Sequence, residues 1–135
     1  AERLRPALVV LDLMLPDLDR AEAFYRDVLG MTPSHTLDFP DFALVYLRNA
    51  ENDAEIELTL NKGRTEPYTH GTGYGHVAAV VEDLDARHAA IAAAGYGPLP
   101  IKEFKRGDEL LARFFFVQDP DGYKIEVLQR QGHYV

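Results

Sequence analysis

The order of residues predicts an α+β fold made by writing one βαββ(β) unit twice, and three observations carry that expectation. Asp17-Leu18-Asp19 and Asp83-Leu84-Asp85 each follow an apolar, strand-like run and precede a helical pattern, 66 residues apart. Ile56-Glu57-Leu58 and Ile125-Glu126-Val127 each close a β-rich stretch, 69 residues apart. A three-residue insertion in the second half reconciles the two offsets. Between these markers apolar and polar residues alternate with period two, as half-buried strands require. The 135 residues therefore read as one domain (1–135) holding a first module over 8–61 and a second over 74–130.

The first strand is expected over Leu8–Leu15. A helix follows, opening at Asp19 with Glu22 three residues on, the spacing of a capping box. Its apolar positions Ala21, Phe24, Tyr25, Val28 and Leu29 repeat at i, i+3, i+4, i+7 and i+8, and Gly30 stands where a C-terminal cap belongs. Strands are expected over Phe42–Leu47 and Glu55–Leu60. Lys62–Gly73, rich in Gly, Thr and Pro, is the linker, and Gly71-x-Gly73-x-Gly75 within and after it is a turn, because no helix follows to make it a phosphate loop. The second module repeats the grammar: a strand over His76–Val81, then a helix opening near Asp83 or Asp85. Its Ala-rich run reaches Ala94 and stops at Gly95. Strands over Arg113–Val117 and Tyr123–Leu128 flank Asp119-Pro120-Asp121-Gly122, a strong hairpin turn. Phe114-Phe115-Phe116 reads as core strand, and Lys102, Lys105 and Arg106 as a basic loop.

The two faces of each strand locate the chemistry. Val9, Leu11, Leu13 and Leu15 suit the face under the helix, leaving Val10, Asp12 and Met14 opposite. Ile56, Leu58 and Leu60 leave Glu55, Glu57, Thr59 and Asn61 opposite. His76 and Glu126 fall on the corresponding face of the second module. If those faces curl together, two carboxylates and an imidazole converge, a donor set suited to Zn²⁺, Ni²⁺, Mn²⁺ or Fe²⁺. The competing reading is a plain solvent face, where Glu and His are unremarkable. His35, His70, His88 and His133 show no partner spacing, and His88 suits the polar edge of its helix.

Composition narrows the classes. Lys plus Arg number 14 against 22 Asp plus Glu, a net charge of −8, which lacks the footprint for nucleic acid or an anionic membrane. With no cysteine, disulfides, thiolate metal sites and Cys nucleophiles are excluded. The apolar run Ala7–Leu15 is broken by Asp12 and far short of the ~20 residues that span a bilayer. The expectation is a cytoplasmic protein acting on a small molecule.

Four segments resemble glyoxalase I proteins of the vicinal oxygen chelate superfamily: Phe24-Tyr25-Arg26-Asp27-Val28-Leu29-Gly30-Met31; Glu55-Ile56-Glu57-Leu58-Thr59 with Asn61 and Gly63; Gly71-Thr72-Gly73-Tyr74-Gly75-His76; and Asp119-Pro120-Asp121-Gly122-Tyr123-Lys124-Ile125-Glu126. The resemblance spans nearly the whole chain. It implies paired βαβββ modules, cupped mixed sheets holding a divalent metal, and a homodimer with active sites shared between chains. Glu57, His76 and Glu126 match three of the family's four metal ligands, Glu126 also its catalytic base, and Asn61 a residue that contacts glutathione. The implied reaction converts the hemithioacetal of a 2-oxoaldehyde and a thiol (methylglyoxal and glutathione) to the 2-hydroxyacyl thioester, by proton transfer through an enediolate.

The departures matter equally. The family's fourth ligand position holds Val10, which cannot bind a metal, and the position of its glutathione-carboxylate Arg holds Met14. Asp12, on the same face one strand repeat (~6–7 Å) along, either supplies the missing oxygen or orients a metal-bound water, or else lies in a wet cavity or pairs with Lys or Arg. Three rivals stay open: a related isomerase or epimerase on another substrate, a metal-free ligand-sequestering protein, and, least suited with one placed His, a ring-cleaving dioxygenase.

Overall fold

In a computed structural model, describing residues 9–134, the chain forms two four-stranded mixed sheets with one helix apiece. The first module comprises β1 (Val9–Met14), α1 (Leu18–Leu29), β2 (Thr32–Asp38), β3 (Phe42–Arg48) and β4 (Ala54–Asn61). The second comprises β5 (Val77–Val81), α2 (Leu84–Ala93), β6 (Lys102–Arg106), β7 (Glu109–Gln118) and β8 (Lys124–Gln129). The strand orders are β1-β4-β3-β2 and β5-β8-β7-β6, each with its first strand parallel to its last and the other pairings antiparallel. Two βαβββ modules thus replace the shorter unit that periodicity alone supports. Leu8, placed in the first strand from sequence, lies outside the described residues.

Helix α1 opens two residues before the expected Asp19. Asp17 is the N-cap: its backbone is extended and its carboxylate accepts the amide of Arg20 at 3.1 Å. That leaves Asp19 in the first turn, where the positive end of the helix dipole favours it. At the far end Gly30 adopts φ 64°, and its amide returns to Arg26, the left-handed cap that a side chain resists. Helix α2 is capped by Asp83, one of the two expected starts, and ends at Ala93.

Strands β2 and β6 have no apolar alternation, which is why periodicity does not show them. Both are edge strands. β6 is exposed along its whole length, so Lys102, Lys105 and Arg106 stand on a strand and not on the expected loop. β2 carries Pro33 and a register shift beside it, a common way to blunt an exposed edge.

The buried faces fall as alternation predicts. Leu13, Leu15, Ile56 and Leu58 pack with Ala21, Phe24, Tyr25, Val28 and Leu29 of α1, and Val81, Ile125 and Val127 with Leu84 and Ile91 of α2. Val10 and Met14 stay about 40% exposed on the opposite face. The modules are stitched by buried polar contacts. Tyr25 of α1 donates to Asp119 Oδ2 in the β7–β8 turn at 2.7 Å, and the Tyr123 hydroxyl donates to the backbone oxygen of Met14 at 2.9 Å. No helix among the described residues is long and apolar enough to cross a membrane.

Candidate active site

Each module presents one carboxylate at the middle of its central strand. Glu57 on β4 stands in register with Asp12 of β1 on one side and Tyr46 of β3 on the other. Thr59, two residues along the same face, donates its hydroxyl to Asp12 Oδ1 at 2.7 Å and lies 3.4 Å from Glu57 Oε1. The Tyr46 phenol donates to Glu57, and that bond to an anion raises the Tyr46 pKa above 10.0. Among the described residues Asp12 is held by a hydroxyl and not by a lysine or arginine, and it is exposed. Glu55, nearer the start of β4, is buried and paired with Arg48 opposite it on β3.

In the second module Glu126 on β8 stands in register with Ala78 of β5 and Phe116 of β7. His76, the residue before β5 rather than within it, places Nε2 3.0 Å from Glu126 Oε2. The edge of its ring meets the Phe116 ring at a centroid distance of 5.2 Å. Phe115, between two half-buried phenylalanines, is core, whereas Phe116 turns to the His76 face.

His76 and Glu126 therefore meet, while Glu57 lies on the other module's sheet. Among the described residues no group of three or more His, Cys, Asp and Glu side chains is close enough to hold a metal ion. The oxygen and imidazole donors suit a divalent cation by type, but one chain presents them as two halves.

Asn61, at the end of β4, donates its amide to the Tyr68 hydroxyl at 2.9 Å and so ties the strand to the linker. His88 bonds the Leu99 carbonyl through Nε2 at 2.9 Å and packs edge-on against Phe115. His70 stacks on the Tyr123 ring at 4.0 Å. A cavity of about 650 Å³ opens beside His76, with Phe116, Leu99, Tyr96, Tyr74 and Lys124 in its walls. Of these, the sequence places Lys124 beside Glu126 on the non-helix face without giving it a role, and does not point to Leu99 or Tyr96. Tyr96 lies beyond α2, where no periodicity points inward.

Comparisons with known proteins agree with this architecture. Residues 7–127 match the Glyoxalase/Bleomycin resistance protein/Dioxygenase superfamily. The chain is 41% identical over 129 residues to the lactoylglutathione lyase of Haemophilus influenzae, covering 88% of this chain and 89% of the relative. Among solved structures it is similar to the trypanothione-dependent glyoxalase I of Leishmania major, with 33% identity, a TM-score of 0.71, and coverage of 93% of this chain and 86% of that one. It is also similar to glyoxalase I from Zea mays, with 29% identity and a TM-score of 0.78 over 95% of this chain and 45% of that one.

Proposed function

The chain belongs to the Glyoxalase/Bleomycin resistance protein/Dioxygenase superfamily, and from that premise we propose how its glyoxalase I-type function is carried out. The substrate is the hemithioacetal that a 2-oxoaldehyde such as methylglyoxal forms with a thiol such as glutathione; the product is the 2-hydroxyacyl thioester. The reaction is an isomerisation. A carbon-bound proton leaves the carbon that bears sulfur and is returned to the neighbouring carbonyl carbon, through an enediolate, with no atom gained or lost.

Glu126 is the base that takes and returns the proton, and His76, 3.0 Å away, fixes the carboxylate's orientation. The observation that carries this reading is that carboxylate–imidazole pair on the non-helix face of a chain 41% identical to a lactoylglutathione lyase. Glu57, with His76 and Glu126, is the donor set for a divalent cation (Ni²⁺, Zn²⁺, Mn²⁺ or Fe²⁺). Such a cation, when bound, polarises the substrate's oxygens. Because one chain separates Glu57 from the other two, the complete set needs the Glu57 face of one copy against the His76–Glu126 face of a second, in a homodimer. Asp12 and Thr59 orient Glu57, and Asn61 stands at the end of the same face as a substrate contact.

The test combines metal content, mass in solution and turnover. The purified protein is expected to be a dimer that loses turnover of methylglyoxal plus glutathione on chelation and regains it with Ni²⁺ or Zn²⁺. Failure to form thioester with any of the four metals would sink the lyase reading and favour a ligand-sequestering protein. A metal-loaded monomer would sink the shared site.

A further inference from the structure

We propose that Lys124 is the anion anchor of the cavity beside His76 and that it binds a carboxylate of the substrate's thiol arm. This rests on the lyase reading for the identity of the arm, but the anchor itself rests on the following geometry.

Lys124 and Glu126 are two residues apart on β8, so their side chains leave the same face about 6–7 Å apart. Lys124, His76 and Phe116 line the same cavity of about 650 Å³, a size ordinary for sites that hold small molecules. An arm of a few bonds therefore joins a group at Lys124 to a reacting carbon at the His76–Glu126 pair.

The duplicated architecture supplies an internal control. Glu55 occupies in the first module the place of Lys124 in the second, each two residues before its module's central carboxylate. Glu55 faces Arg48 across the β3–β4 pairing and is neutralised by it. Lys124 faces Gln118 across the β7–β8 pairing, a residue without charge. Among the described residues no carboxylate pairs with Lys124. Lys124 is exposed at the cavity wall, so its ammonium is open to an anionic ligand. The face of the first module excludes the same group: exposed Asp12 and half-buried Glu57 lie between apolar Val10 and Met14, and a carboxylate there meets repulsion without a paired cation. Of the substrate's two parts only the thiol arm carries carboxylates, since methylglyoxal has none.

The probe is S-methylglutathione, an inert thioether with both carboxylates, beside its diethyl ester, each titrated calorimetrically. The unmodified protein is expected to bind the diacid on the order of tenfold more tightly than the diester, the worth of one charge-assisted hydrogen bond. Lys124→Met abolishes that preference and Lys124→Arg keeps it. Gln118→Glu, which neutralises Lys124 without altering it, abolishes it too and serves if Lys124→Met fails to fold. Equal binding of diacid and diester by the unmodified protein, or a preference unchanged in Lys124→Met and Gln118→Glu, overturns the anchor. A preference for the diacid in a protein that turns over no hemithioacetal keeps the anion site and sinks the lyase reading. Turnover without the preference does the reverse.

Discussion

Glu57 and Glu126 hold equivalent places in the two modules, yet their neighbours differ in kind. Glu57 sits between Asp12 and Tyr46, with Thr59 bonded to Asp12 close by. Glu126 sits between Ala78 and Phe116, with an imidazole on one of its oxygens. Nearer the strand start, the first module offers Val10 and a neutralised Glu55, the second His76 and a Lys124 that no carboxylate among the described residues pairs. Repetition supplied one scaffold twice, and the side chains then divided the labour. The first face became acidic and satisfied largely by its own hydroxyls. The second kept the nitrogen donor, an aromatic wall and an exposed positive charge. Function on this reading is lopsided, with the proton chemistry on the second module and the first contributing one donor.

The sharpest way to break that asymmetry is Glu126→Gln. It is expected to lower kcat by about 10²–10⁴, the usual worth of a general base, with the circular dichroism spectrum unchanged; a loss under twofold would remove the proton chemistry from the second module. Val10→His restores symmetry by giving the first face an imidazole. Titration should show divalent-cation affinity raised by about 10-fold or more, a ligand-sized effect, and an unchanged affinity would place position 10 away from the ion.

The joint between modules comes next. Tyr25→Phe removes the donor to buried Asp119 and is expected to cost about 1–3 kcal/mol in urea unfolding. Burial pushes the Asp119 carboxyl up from 3.8, against hydrogen bonds from Tyr25 and from the amides of Tyr123 and Asp121 that hold it down. A carboxyl raised in the folded state binds its proton more tightly there than in the unfolded chain. Its contribution to stability therefore falls as the pH rises above 3.8 through the raised value. Without Tyr25 it rises further, so the loss is larger at pH 7 than at pH 4. Smallest is Asp85→Asn. Hydrogen bonds from Arg113 hold exposed Asp85 below 3.8, so the pair's stabilisation is present above that pH and fades below it. A slight fall in Tm at pH 7 should vanish in acid.

Much of this was legible because buried faces leave a record. Leu13, Ile56, Ile125 and their partners repeat at the strand period, and Gly30 and Gly95 mark where helices end, so two modules and the face bearing Glu57, His76 and Glu126 follow from order alone. The edge strands β2 and β6 leave no such record, unlike β1 and β5 at the opposite edges, which bury Leu13 and Val81. Thr32–Asp38 and Lys102–Arg106 are held by pairing on one side and face water otherwise, so nothing selects apolar residues at alternate positions. The site was half legible for a different reason. Spacing assigns a residue to a face of its own sheet and is silent on how two sheets are disposed. The meeting of His76 with Glu126 was therefore within reach, and the separation of Glu57 was not.

Tyr123 reaches from the second module to the main-chain oxygen of Met14 and ignores its side chain. The junction therefore uses the backbone of residue 14, while the side chain, 43% exposed, stands on the face of Asp12 and Thr59. A position whose backbone is pinned and whose side chain is half exposed is where a lineage can try new specificities at modest risk to folding. The methionine found there belongs to the adaptable part of the molecule, an address open to change on an otherwise settled frame.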